Sequence, residues 1–394
     1  MAGPYSIALV AANSISDYKY MPPLTTATSN QILPATASAS TADYFAYPLI
    51  RRHGRIYLRD PENAYPLPCD LPEIHRQTMR SLSLINVFGA PICNPYLDKN
   101  PPMQVLEIAC GSAFWSSACH DYFARRGHRN VAFTGLDIAH IAPDLRKQGV
   151  NWQFKKHDLL KPRLPFPDGF FDFVFIKDAG ISATTASIES GLHSLGEPLR
   201  VLKSGGTLEI WESDLVIRSL LPNPPSAPGL GRGDQKQANA TATYTISSAT
   251  PFTKAQNKYF QDYNKWVQEA FERRKLTPMP CAVTGLTFSS LSESFTSADN
   301  RRIAIPFSEI RWEGTPGPGY REALTPDQLA LRQTSLTTLI HMIESMEPML
   351  MEASGKSRDE WDRWWAGMTM DLMQKGGAAS GECLEVGAWW GKKR

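Results

Sequence analysis

Five short apolar runs between residues 103 and 217 constrain the fold of this chain more than any other feature. They are "QVLEIA" (104–109), "VAFTGLDI" (131–138), "VNWQFKKHD" (150–158), "FDFVFI" (171–176) and "GTLEIWES" (206–213). Each reads as a strand, and helical patterns separate them. The alternation predicts a parallel sheet with helices on both faces. The segment after Gly111 carries the helical signal: Trp115, Ala118, Cys119, Tyr122 and Phe123 recur along one helix face, and Gly127 suits the C-cap.

The flanking regions read differently. Residues 1–45 are rich in Ser, Thr, Ala and Pro and poor in large apolar side chains, so a disordered tail is expected. The tract "LPNPPSAPGLGRGDQKQANATATYTISSAT" (221–250) follows the last of the five runs and predicts a flexible loop or lid. In 253–275 an amphipathic helix is expected, with Tyr259, Tyr263, Trp266 and Phe271 near one stripe, and 301–314 looks like strand material. One long helix is expected over 326–352, bent at Pro348, and another over 357–375, where Ser357 and Glu360 form a capping box. Trp364, Trp365, Trp389 and Trp390 suit core packing or a partner surface better than an aromatic cage.

Composition narrows the class. Of 394 residues, 42% are hydrophobic and 20% charged, an ordinary globular balance. A formal net charge of +2 creates no field that would recruit nucleic acid or a membrane. The six cysteines form no CxxC pair and the histidines show no ligand spacing. Reduced thiols in a cytoplasmic or nuclear protein are therefore expected, with no metal site. No basic segment precedes the N-terminal apolar run, and no stretch approaches the roughly 18 apolar residues of a membrane span.

The turn in "LEIACGSAFW" bears on function. Dinucleotide loops place G-x-G-x-x-G here so that a pyrophosphate can approach the backbone, and this loop lacks two of those glycines. Glu107 instead stands in the strand four positions before Gly111. A carboxylate there repels phosphate and attracts a cation. S-adenosylmethionine, which carries a sulfonium and an ammonium but no phosphate, is such a ligand. Asp137 ends the second strand, placed to accept from ribose hydroxyls. Asp158 ends the third, placed to accept from an adenine amino group. Three acids at neighbouring strand ends would meet in the crevice where open α/β sheets bind ligands.

The ordered set "VLEIACGSAFWS", "FTGLDI", "HDLLKPRLPFPDGFFDFVFI" and "EPLRVLKSGGTLEIWESD" resembles the motifs of class I S-adenosylmethionine-dependent methyltransferases. The segments "GRIYLRDPENAYPLPCDLPEIHRQTMRSLSLI" (54–85) and "YNKWVQEAF" (263–271) are similar to the fungal methyltransferases related to LaeA, regulators of secondary metabolism and development. The resemblance implies a Rossmann-like α/β core with an N-terminal helical cover and C-terminal strand–helix additions. The expected division is a cover over 46–102, a cofactor-binding core over 103–220, and the rest of the sheet with added helices over 251–394. It implies S-adenosylmethionine as cofactor, contacted by Glu107, Gly111, Trp115, Asp137, Ile138, Asp158, Leu159 and Lys177. Ala109 and Ala113 depart from the motif by replacing its outer glycines, which matters where backbone adopts φ > 0.

Methyl transfer needs a general base only when the acceptor retains its proton. Glu212, Asp178 and His193 are the candidates by position. The expected function is methyl transfer to an unidentified acceptor, in one reading a secondary-metabolism small molecule. A LaeA-like protein (histone) methyltransferase or regulator acting with a protein partner is the alternative. So is a binding module without turnover.

Overall fold

The computed structural model describes residues 32–33, 49–59, 65–159, 163–181, 195–225, 227, 231–316, 320–321, 323–374 and 376–394. The expected disordered tail lies outside these residues except for 32–33. In chain order the first half holds β1 (Ile32–Leu33), β2 (Leu49–Arg52), β3 (Arg55–Leu58), α1 (Leu71–Phe88), α2 (Tyr96–Lys99), β4 (Gln104–Ile108), α3 (Phe114–Ala124), β5 (Ala132–Asp137), β6 (Asn151–Lys156) and β7 (Phe171–Lys177). Then follow α4 (Gly196–Val201), β8 (Leu202–Ser213), β9 (Arg218–Leu220), α5 (Arg232–Thr241), β10 (Tyr244–Ile246), β11 (Phe252–Lys254) and α6 (Lys258–Arg273). The chain closes with α7 (Pro280–Ser290), β12 (Phe295–Pro306), α8 (Pro326–Ser345), α9 (Glu347–Ser354), α10 (Arg358–Met373) and β13 (Glu382–Lys393).

The five expected strands are β4 to β8, and they pair in parallel. β5 and then β6 lie on one side of β4, β7 and then β8 on the other. The chain thus reverses direction across the sheet at β4, and that reversal opens a crevice at the strands' carboxyl ends. β13 extends the sheet antiparallel to β8, followed by β12 and β10. This is the Rossmann-like α/β architecture with C-terminal additions.

Burial explains why these runs are strands. Val105, Leu106, Ile108, Phe173, Val174 and Phe175 are all fully buried, so both faces of β4 and β7 need apolar cover. α3 supplies part of it, with Trp115 stacked on Phe175 at 3.7 Å between ring centroids. On α6, Phe260, Tyr263, Trp266 and Phe271 are buried, and Trp266 meets Trp364 of α10 at 4.6 Å. The tryptophan pair of α10 therefore begins in the core, and Trp389 is buried on β13. All six cysteines are free. Among the described residues no helix is long and apolar enough to cross a membrane.

Two expectations change. The tract 221–250 carries α5 and β10 rather than only a loop or lid. Neighbours order it: Gln237 donates to the Asn86 carbonyl at 2.7 Å, and Gln328 of α8 donates to the Asn239 and Ala240 carbonyls at 3.2 and 3.1 Å. The helix of 326–352 breaks at Met346 into α8 and α9. Pro348 falls in the first turn of α9, where its missing N–H costs nothing. The capping box of α10 is present, with Glu360 accepting from the Ser357 N–H at 2.8 Å.

Candidate functional site

The crevice at the switch between β4 and β7 encloses about 1120 Å³, mouth included. All eight residues expected to contact a cofactor line it: Glu107, Gly111, Trp115, Asp137, Ile138, Asp158, Leu159 and Lys177. Strand ends bring them together. Glu107 stands on β4, Asp137 closes β5, Asp158 follows β6 and Lys177 closes β7.

Each carboxylate has a particular engagement. Asp137 accepts from the Gly111 N–H at 2.9 Å and the Ala139 N–H at 3.1 Å, so it braces the loops after β4 and β5. Its burial raises the carboxyl above its ordinary range. The Ile138 N–H also contributes, and the carboxylate still keeps a lone pair for a hydroxyl group. Glu107 accepts from Ser116 Oγ at 2.6 Å and from the Ser116 N–H at 3.2 Å, and so anchors the first turn of α3. Burial pushes Glu107 up to about 7.

The loop itself is strained. Ala109 (φ 57°), Gly111 (φ 51°) and Ala113 (φ 56°) all lie in the left-handed region. The two alanines hold the conformation that the absent glycines would have adopted freely, at a cost of about 1–2 kcal/mol each. A Cβ on Gly111 would lie 3.0 Å from Gln77 Oε1, so the cover rests directly on this loop.

Two expected residues serve the scaffold as well as the crevice. Trp115 borders it, but its indole Nε1 donates to the Pro91 carbonyl at 2.7 Å and its ring is 1% exposed. Asp178, a candidate base, accepts two bonds from Arg80 at 2.8 and 3.0 Å and one from Lys177 at 3.0 Å. Burial acts to raise it, but Arg80 and Lys177 outweigh burial and hold it far below the usual carboxylate range. An acid so firmly ionised and so fully paired is a poor proton acceptor. Glu212 is buried at the end of β8 and accepts from the Gly180 N–H at 2.9 Å. It lines a neighbouring cavity rather than the crevice itself. Burial, then the Asp178 charge, pushes it up to about 8. His193 lies outside the described residues.

The helical cover was expected, but its side chains at the crevice were not. α1 sends Glu73, Arg76 and Gln77 to the crevice and Arg80 to Asp178. Glu73 accepts a bidentate pair from Arg76 at 2.8 and 2.6 Å, and also from Gln77 at 3.0 Å and Ser345 at 2.9 Å. The signal was present as a charged and amide stripe at i, i+3, i+4 and i+7, Glu73, Arg76, Gln77 and Arg80.

Comparison with known proteins agrees with the core. Residues 105–206 match the family described as "Methyltransferase domain". The demethylmenaquinone methyltransferase of Bacillus cereus (strain B4264) is 32% identical over 121 residues, covering 30% of this chain and 47% of the relative. The Bacillus anthracis (strain CDC 684 / NRRL 3495) protein of the same name is 30% identical over the same shares of each chain. This chain thus spans about half the length of the curated relatives it matches. Among solved structures, the plantazolicin methyltransferase BpumL in complex with a monoazolic desmethylPZN analog and SAH is 10% identical over 82% of this chain and 88% of that one, with a TM-score of 0.35. Haemonchus contortus phosphoethanolamine N-methyltransferase 2 with S-adenosyl-L-methionine is 14% identical over 80% and 57%, with a TM-score of 0.32. Residues 105–206, which build the floor of the crevice, are thus similar to a methyltransferase domain.

Proposed function

We propose that the protein transfers a methyl group from S-adenosylmethionine to a small-molecule acceptor. The observation that carries this reading is the meeting of Glu107, Asp137 and Asp158 in one crevice whose cations are already paired. Among its described lining residues the cations are Arg76 and Lys177, bound to Glu73 at 2.6 Å and Asp178 at 3.0 Å. Both cations are engaged by carboxylates, which disfavours a diphosphate, whereas a cationic nucleoside finds carboxylates.

The bound donor supplies a methyl carbon already activated by its sulfonium. Asp137 would hold the ribose hydroxyls and Asp158 the adenine amino group, with Ile138 and Leu159 beside the base. Lys177 and Asp178 lie where the methionine end and the acceptor meet. The chain's contribution is alignment and exclusion of water, the main requirement for an in-line displacement. α1 closes the site from above through Gln77 and Arg80. Of the described base candidates, neither stands ready at neutral pH: Asp178 is locked by Arg80 and Glu212 is pushed up to about 8.

Calorimetry with S-adenosylhomocysteine tests the reading. Wild type is expected to bind. Asp137→Asn should lose about a hundredfold, the worth of two charge-assisted hydrogen bonds; unchanged affinity would remove Asp137 from the donor site. A donor-binding module without turnover is the second reading, favoured by the strained Ala109 and Ala113. A radiolabelled methyl-transfer assay on fractionated extract separates the cases. Label in small molecules supports the proposal. Label in protein supports a LaeA-like protein methyltransferase or regulator, and binding without label supports the module.

A further inference from the structure

Beside the donor crevice lies a second cavity of about 490 Å³, mouth included. It shares Arg76, Asp178 and Ile181 with the crevice, so the two spaces adjoin at the β7 side. Asp137, Asp158 and Ile138 stand on the opposite flank, beyond β5 and β6. Building on the donor reading above, a nucleoside anchored over β5 and β6 would extend its sulfonium end toward this second space.

The walls have a consistent chemistry. Ile181, Leu215, Leu339, Met342 and Leu384 make the apolar part. The charged residues are satisfied within the protein. Arg76 pairs with Glu73 at 2.6 Å and Arg80 pairs with Asp178 at 2.8 Å. Asp214 accepts from the Cys281 N–H at 3.0 Å and from Arg302 at 3.2 Å. An ion entering here would shed its hydration and find no partner, which is costly. Glu212 differs. Its Oε1 accepts from the Gly180 N–H, but its Oε2 has no hydrogen bond among the described residues. With burial pushing it up to about 8, the carboxyl carries its proton at neutral pH and has an O–H to donate.

We infer that this cavity takes the methyl acceptor, and that the acceptor is an uncharged, largely apolar molecule presenting one hydroxyl or carbonyl oxygen to Glu212. Elements α1, α8, β8 and β13 enclose the cavity, which suits a compact molecule better than a polypeptide segment.

Three probes that share a propylphenyl body and differ in charge test this on the full-length protein saturated with S-adenosylhomocysteine at pH 7: 4-propylphenol, 4-propylbenzoate and 4-propylbenzylamine, followed by ligand-observed NMR. The neutral phenol is expected to bind at least about tenfold more tightly than either ion, given the cost of burying an unpaired charge. Leu339→Phe, which fills the cavity, should abolish phenol binding. Glu212→Leu should weaken it about tenfold, the worth of one hydrogen bond. Both variants should retain S-adenosylhomocysteine affinity within about twofold, which also shows that they fold. The inference is overturned if an ion binds as well as the phenol, if the phenol competes with S-adenosylhomocysteine, or if Leu339→Phe binds the phenol normally. Failure of wild type to bind S-adenosylhomocysteine sinks the donor reading alone, and phenol titration of the unliganded protein then still decides whether the cavity selects neutral molecules.

Discussion

Ala109 and Ala113 show how neighbours can impose a backbone that the side chain disfavours. Ala113 is fully buried and its N–H donates to the Cys110 carbonyl at 2.7 Å, while the Gly111 N–H is held by Asp137. The left-handed geometry therefore exists before any ligand arrives. Ala109→Gly should leave S-adenosylhomocysteine affinity within about twofold. It should also change unfolding free energy by less than about 1 kcal/mol, because relief of strain is offset by a freer unfolded chain. Gly111→Val should behave oppositely. A β-branched side chain at φ 51° with its Cβ 3.0 Å from Gln77 Oε1 must displace the loop or α1. Affinity should fall at least about tenfold, the equivalent of 1.4 kcal/mol, and calorimetry on the two variants checks the pair of outcomes. Residues at this scale were legible where strand periodicity placed them, as for Asp137 and Asp158. The conformation of the alanines was not, because it is enforced by contacts with distant residues.

At the scale of elements, Arg80 makes a long-range clamp between α1 and the sheet. Arg80 grips Asp178 with two hydrogen bonds and also meets Ser213 at the end of β8. The Arg80 side chain is 11% exposed, so the pair is screened less than a surface bridge and more than a dry one. Arg80→Met should destabilise the protein by about 1–3 kcal/mol by leaving Asp178 without its main partner. It should also speed release of S-adenosylhomocysteine in stopped-flow fluorescence, about tenfold for each 1.4 kcal/mol lost from the closed state. The double variant with Asp178→Asn should cost less than the two single changes added together; strict additivity would mean that the clamp does not couple cover to sheet. The helix itself could be read from its pattern, but a pairing between positions 80 and 178 has no local signature. The same limit explains α5. Its residues are poor in apolar bulk, and it is ordered by Gln237 and Gln328 reaching carbonyls on other helices.

Across the sheet and its strand ends, burial pushes carboxyls upward: Glu107 and Glu209 to about 7, Glu212 to about 8, Asp214 to about 6, and Asp137 above its ordinary range. In the unfolded chain such groups titrate near 4. The folded state therefore holds more protons than the unfolded state between pH 4 and 8, and stability must decline as pH rises through that window. Asp178 and Glu313 work the other way, since arginine partners lower them against burial, but their contribution is lost only on acidification below about 4. A stability maximum near pH 5 follows, and the melting temperature should be higher at pH 5.5 than at pH 8.5. Glu212→Gln should flatten the alkaline limb, because the amide cannot titrate and the Gly180 N–H still finds an oxygen. The donor should alter the same curve. A cation beside Glu107 favours its ionised form, so stabilisation by S-adenosylhomocysteine, whose ammonium supplies that charge, should grow from pH 5.5 to pH 8.5. Scanning calorimetry with and without the ligand measures both slopes. A melting temperature that climbs toward pH 8.5 would mean that these carboxyls are ionised in the folded sheet. A ligand effect independent of pH would place the cation away from Glu107.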